Sequence, residues 1–267
     1  MPRAPRFSSI RLMVRLTASA LAIVTASMLT LLTGGRVSGQ SGHQSRHYPL
    51  ETAAGLRLHN VAAEPAVLDG RKGLRVTLSA DTLRRFERMT DGEAHDFQTR
   101  IGQYAVIDGV EISDGVITAE VTGAPTPGAG PLVRGFVGIV FRLRDGAYEV
   151  FTLRMTNGRA EQQERRNHAT QYASHPDWPW FRLRKEAPSR YESYVDLVPN
   201  VWTAIKIDVR GERARLYVHG QDQPTLIVND LKSGARRTGA VALWVNYGTV
   251  AYFRNLTVTP HTSDIKE

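Results

Sequence analysis

The chain has 267 residues, 42% of them hydrophobic and 22% charged, with 23 Gly, 13 Pro and no Cys. This composition excludes a mainly disordered chain, a collagen-like repeat, a disulfide scaffold and a polytopic membrane protein, and the lack of cysteine excludes a thiol nucleophile, a CxxC pair or a Cys-ligated zinc. The formal charge is +8, but residues 1–40 hold five arginines (Arg3, Arg6, Arg11, Arg15, Arg36) and no acid; the remainder carries 29 bases against 26 acids, so the folded part has no basic nucleic-acid footprint.

The leader comes first in chain order. Four arginines precede an uncharged run from Leu16 to Gly35, and Val37-Ser38-Gly39 offers small residues spaced for a signal peptidase. The pattern predicts an export signal over 1–39, cleaved after Gly39, with an uncleaved membrane anchor as the alternative. No cysteine follows the apolar run, which excludes lipoprotein anchoring. A secreted domain without disulfides fits a bacterial periplasm or exterior.

Residues 40–54 are polar and read as a flexible linker. From 55 to 260 short β-rich runs alternate with Gly, Asp and Asn: 55–61, 73–79, 103–107, 115–121, 135–143, 147–155, 201–210, 213–219, 224–228, 239–246 and 249–258. One short helix is expected near 81–89, opened by Asp81. Residues 122–132 form a Pro/Gly loop, and 261–267 a tail. Many short strands with frequent turns predict an all-β, two-sheet antiparallel sandwich, a jelly roll, with a long Trp-containing loop and at most one or two short helices.

Three hairpins can be placed in register. Asp145-Gly146 suits a tight turn in which both central residues have positive φ; counting outward, Arg142 opposes Glu149 and Phe141 opposes Val150. A turn at Gly211-Glu212 sets Val209 against Ala214, Ile207 against Leu216 and Ile205 against Val218, with Asp208/Arg215 and Lys206/Tyr217 on the other face. A turn at Tyr247-Gly248 sets Val245 against Val250 and Leu243 against Tyr252.

The segments RGFVGIVFR (134–142), YEVFTLRMTNGR (148–159), RRNHATQY (165–172), WPWFRLRKEAP (178–188), YESYVDLVP (191–199), IKIDVRGERARLYV (205–218) and PTLIVNDLK (224–232), with GAVALWV (239–245) and YFRNLTV (252–258), carry a family likeness. The region resembles the concanavalin A-like (laminin-G-like) jelly-roll superfamily, near the bacterial exported 3-keto-disaccharide hydrolase-type domains. The resemblance implies the sandwich fold. It leaves activity open, because that superfamily includes lectins, glycan-cleaving enzymes and modules without a known role.

Within that frame, Arg142 and Glu149 would form the floor of a concave glycan site, or else a register-fixing ion pair. Glu149 is the first candidate acid/base and Glu192 the second. The segment 165–192 combines donors and acceptors (Arg166, Asn167, Gln171, Tyr172) with Trp178 and Trp180, the residue types that hold sugar hydroxyls and C–H faces; the tryptophans would otherwise cap the core. Arg154 reads as surface charge or a rim contact, and Trp244 as a neighbour on the same concave surface. No metal ligand set is evident. Calcium, which some domains of that superfamily bind, finds no matching motif, and no cofactor is expected.

The sequence therefore predicts a monomeric, exported β-sandwich that binds carbohydrate and not nucleic acid, touching a membrane only through an uncleaved leader. A glycan-cleaving enzyme using Glu149, and an envelope interaction module without a sugar site, are the alternatives.

Overall fold

The computed structural model describes residues 44–235 and 237–262. The leader expected over 1–39 and residues 263–267 of the expected tail lie outside them. Among the described residues fifteen strands, numbered in chain order, build two antiparallel sheets. One sheet runs β13 (Leu226–Val228), β12 (Arg213–Val218), β11 (Thr203–Arg210), β6 (Gly115–Pro125), β15 (Thr249–Pro260), β4 (Arg71–Leu78) and β3 (Val61–Leu68), with β1 (Arg46–Tyr48) also paired to β15. The other runs β10 (Glu192–Ser193), β9 (Thr170–His175), β8 (Ala147–Arg154), β7 (Phe136–Arg144), β14 (Gly239–Val245), β5 (Tyr104–Ile112) and β2 (Leu56–His59). This is the two-sheet antiparallel sandwich that the resemblance implies. β1 and the buried Leu50 belong to the fold, although both fall in the segment expected as a linker.

Alternation explains the core. In β11 and β12 the pairs Val209/Ala214, Ile207/Leu216 and Ile205/Val218 form in the expected register. Their side chains are buried, while on the other face Lys206 lies 3.9 Å from the Tyr217 ring centroid. A sheet wet on one side has this pattern.

The β7–β8 hairpin departs from expectation in one residue. Asp145 and Gly146 take positive φ, as the turn demands, but so does Arg142, at 55°. A bulge follows Phe141, so Phe141, not Arg142, pairs with Glu149, and Val140 pairs with Val150. In a period-two strand a one-residue slip exchanges the faces. Val137, Ile139 and Phe141 consequently join Leu153, Phe151 and Glu149 on the inner face, with Val137 against Gly123 of the opposite sheet. Phe136, Gly138 and Val140 join Arg154, Thr152 and Val150 on the outer face. Gly138 has to be glycine here, because a Cβ would lie 2.6 Å from the Phe151 carbonyl oxygen.

The Tyr247-Gly248 turn does not make a hairpin. Val245 pairs with Val137 in one sheet, while Val250 pairs with Ala124 in the other, so the chain crosses between layers there.

Among the described residues four short α-helices decorate the sandwich: α1 (Ala80–Phe86), α2 (Asp91–Arg100), α3 (Gln163–Asn167) and α4 (Trp180–Glu186). Only α1 was expected. α2 opens with a capping box in which Thr90 and Glu93 exchange hydrogen bonds. The segment 165–192, expected as one long loop, instead holds the end of α3, then β9, α4 and β10.

Candidate functional site

The β7–β8 hairpin carries a buried arginine at each end, Arg142 of β7 near the turn and Arg154 at the far end of β8. At the turn end Arg142 is fully enclosed. Its Nε donates to the Ser113 carbonyl (2.8 Å), Nη1 to the Gly234 carbonyl (2.8 Å) and Ser233 Oγ (3.4 Å), and Nη2 to Asp114 Oδ1 (3.0 Å) and the Gly211 carbonyl (2.7 Å). All five N–H bonds are thus occupied. Glu149 is enclosed as well; Oε1 accepts from the Ser233 amide (2.7 Å) and Oε2 from the Tyr172 hydroxyl. That hydroxyl in turn accepts from the Lys232 amide at 2.9 Å. Burial, and then the Glu149 charge, push the Tyr172 phenol far above its ordinary value.

These contacts correct the sequence expectation. Arg142 and Glu149 do not face each other, and neither opens into a hollow. Arg142 ties three loops together at one end of the sandwich, and Glu149 with Tyr172 pins the 230–234 segment from inside. Glu149 is sealed from any ligand, and the bulge at Arg142 is the cause.

At the far end of β8 the picture differs. Arg154 is 3% exposed, not the surface charge expected of it. Its Nη1 donates to Glu192 Oε1 and to the His168 carbonyl, both at 2.9 Å, and its Nη2 to Gln171 Oε1 at 2.6 Å. The pairing of β9 with β8 and β10 makes this possible: Gln171 stands beside Thr152 on one side and Glu192 on the other. Arg184 of α4 reaches the same carboxylate, with Nε 2.9 Å from Oε2 and Nη2 on Oε1. His168 Nδ1 comes to 2.9 Å of Oε2, although without hydrogen-bond alignment. Burial pushes the Glu192 carboxyl up, but the hydrogen bonds and charges of Arg184 and Arg154 outweigh it and hold it below the ordinary value. Burial pulls Arg154 down to about 10; Glu192 opposes this, and the charges of Arg184 and Arg134 add to it.

Above this cluster lies a small, narrow depression of about 30 Å³, open to solvent, on the outer face of the seven-stranded sheet. Arg154, Gln171 and Thr152 supply its polar floor, and Trp180, Trp244 and Phe136 its aromatic walls. The Arg154 guanidinium sits between two of those walls, 4.9 Å from the Phe136 centroid and 5.2 Å from that of Trp180. His175 and Thr99 close the opposite side, with His175 Nδ1 3.2 Å from the Thr99 carbonyl oxygen.

The other expected residues scatter. Tyr172 lies on the inner face with Glu149. Asn167 is exposed on α3 and accepts from Gln163, and Arg166 donates to Gln163 at 3.0 Å; neither lines the depression. Trp178 pairs its backbone with Ser174 and packs beneath Arg182 (3.8 Å) and Lys232 (4.9 Å), away from the cluster. Arg184, Phe136 and His175 were not read as site residues. Once α4 is recognised, Arg184 follows, since it stands four residues beyond Trp180 on the same helical face. Among the described residues no group of three or more His, Asp or Glu side chains is arranged to hold a metal ion.

No family model matches the chain, and no curated protein matches it. Among solved structures it is similar to the carbohydrate-binding module CBM66 from Bacillus subtilis, with 11% identity over 76% of this chain and 98% of that one at a TM-score of 0.45. It is also similar to a Bacillus licheniformis beta-glucanase (10%, 83% and 100%, 0.42). A third similar structure is a prokaryotic beta-1,3-1,4-glucanase derived from a mouse hindgut metagenome (10%, 81% and 99%, 0.44). Likenesses this distant leave the ligand and the chemistry to be argued from the chain's own side chains.

Proposed function

We propose that this chain is an exported carbohydrate-binding β-sandwich whose ligand sits in the depression over Arg154 and Gln171. One observation carries the reading: two tryptophans and a phenylalanine wall a small cleft whose floor presents buried, oriented hydrogen-bonding side chains. Ligand sites for small polar molecules have this build, largely apolar with a few fixed polar groups. The export half of the proposal rests on the leader pattern at 1–39.

The same geometry favours binding over glycosidic cleavage. Hydrolysis ordinarily needs two carboxylates across the scissile bond, one of them held protonated. Among the described residues no Asp or Glu lines the depression, Glu149 lies on the other face of the sheet, and Glu192 is ionised between two guanidiniums.

Calorimetry of the full chain against plant, algal and bacterial oligosaccharides tests the proposal. At least one is expected to bind, and Trp180→Ala to weaken that binding about tenfold or more, since losing an aromatic wall removes both apolar contact and stacking. Silence across the panel, or binding indifferent to Trp180→Ala, overturns it.

A further inference from the structure

The cluster under the depression is not electrically balanced. Glu192 is the carboxylate within it, and its oxygens are already filled: Oε1 by Arg154 and Arg184, Oε2 by Arg184 with His168 alongside. One carboxylate thus serves two guanidiniums. The positive charge of Arg134 also bears on Arg154, and that of Arg165 on Arg134. His168 does not offset this, because an imidazole brings no negative charge.

The hydrogen-bond inventory points the same way. Arg154 uses three of its five N–H bonds on Glu192, His168 and Gln171. Arg184 uses two, both on Glu192, and its side chain is one-third exposed. The Nε of Arg165 is buried without an acceptor. Arg142, in contrast, has no N–H left over. A guanidinium held 3% exposed without full compensation is costly unless something else supplies the missing charge. The planar fork of arginine matches a carboxylate or a sulfate, and it gains most where aromatic walls exclude water.

We infer that the ligand is an acidic saccharide, whose carboxylate or sulfate group is received by Arg154 at the floor of the depression, with the charge of Arg184, packed on Trp180 at 4.6 Å from its centroid, adding to the attraction, while its ring lies against Trp180 and Trp244. This inference rests on the glycan-binding proposal and narrows it to one chemical class. It follows from the surplus of guanidinium over carboxylate in the cluster. A neutral sugar offers hydroxyl acceptors, but it would leave that surplus uncompensated.

Matched ligand pairs provide the test. Calorimetry of the full chain compares oligogalacturonate with its carboxyl-reduced neutral counterpart, and a sulfated galactan oligosaccharide with its desulfated form. The first pair reads uronate and the second reads sulfate. In at least one pair the acidic member is expected to bind about tenfold or more tightly than its neutral partner, with the advantage narrowing as salt is raised. Arg184→Gln, at a side chain exposed enough to be replaced without opening the core, is expected to remove about tenfold of the acidic member's affinity. It should leave the neutral member within about threefold, and Arg184→Lys should restore part of the loss. Neutral members that bind as tightly as acidic ones would overturn the acidic class and leave the glycan proposal standing. Failure of every member of both pairs and of the wider panel would overturn both.

Discussion

The β7–β8 hairpin has at each end a buried arginine near a buried glutamate, Arg142 of β7 with Glu149 and Arg154 of β8 with Glu192, yet the two ends do opposite things. At one end Arg142 has five hydrogen bonds for five N–H groups, four of them to loop backbone or to Asp114. Glu149 and Tyr172 close the space beside it. At the other, Arg154 has three hydrogen bonds, shares its carboxylate with Arg184 and lies under a depression open to solvent. Burial and charge are common to both. What separates a structural staple from a candidate site is unused hydrogen-bonding capacity facing an opening.

The largest expected effect strikes the saturated end. Arg142→Met keeps much of the side chain's bulk but strands the Ser113, Gly211 and Gly234 carbonyls without their donor, while Asp114 keeps the Gly211 amide at 2.9 Å. Each carbonyl left without a partner costs about 1–3 kcal/mol, so the three together cost on the order of 3–5 kcal/mol. Urea unfolding should show that loss, while the fraction still folded binds ligand with unchanged affinity. A loss of binding without a loss of stability would reverse the roles assigned to the two ends.

The next effect belongs to the open end and is read through pH. His175 lines the depression, stacks on Tyr148 with centroids 4.9 Å apart and is buried, and that burial holds its pKa down at about 4 against an ordinary value of 6.5. Between those values the unfolded chain binds more protons than the folded one, so stability rises with pH. The contribution is complete above pH 6.5 and is lost as pH falls toward 4, by about 3 kcal/mol. Glu192, held below its ordinary value, adds its own loss at still lower pH, below about 4.5. His175→Gln should flatten the first interval and leave the second. An unfolding midpoint that ignores pH between 4 and 6.5 in the parent chain would contradict the buried neutral imidazole.

How much of this contrast was legible in the sequence depends on locality. The β11–β12 register was readable from alternation alone, because the turn is regular and one face is wet. The β7–β8 register was not, since the bulge at Arg142 leaves no mark in composition. A sharper reading was nonetheless available: slipping the pairing by one residue gathers Val137, Ile139, Phe141, Phe151 and Leu153 onto one face, a cleaner apolar division than the regular register gives. β9 escaped because Thr170–His175 is a polar strand covered on both sides, with neither alternation nor an apolar run to announce it. Without β9 the meeting of Arg154, Gln171 and Glu192 could not be foreseen, although all three were singled out. The Tyr247-Gly248 crossing was misread because a turn between two strands looks the same in sequence whether the second strand stays in its sheet or changes layer.

The smallest effect tests the exclusion of Glu149 from function. Glu149→Gln preserves shape and still offers one oxygen to the Ser233 amide. The Tyr172 hydroxyl, already accepting from Lys232, then faces an amide where it had a carboxylate and loses a charge-assisted acceptor. Exchanging that bond for a weaker one costs on the order of 1–2 kcal/mol. Thermal or denaturant unfolding should register this, and Tyr172→Phe, which removes the same hydroxyl, should not add fully to it because the two residues share one network. Ligand affinity should stay unchanged, since Glu149 points into the sandwich and the depression lies on the opposite face of the same sheet. A Glu149→Gln chain that kept its stability but lost binding or turnover would return that residue to the functional site and break the division between the two ends of the β7–β8 hairpin.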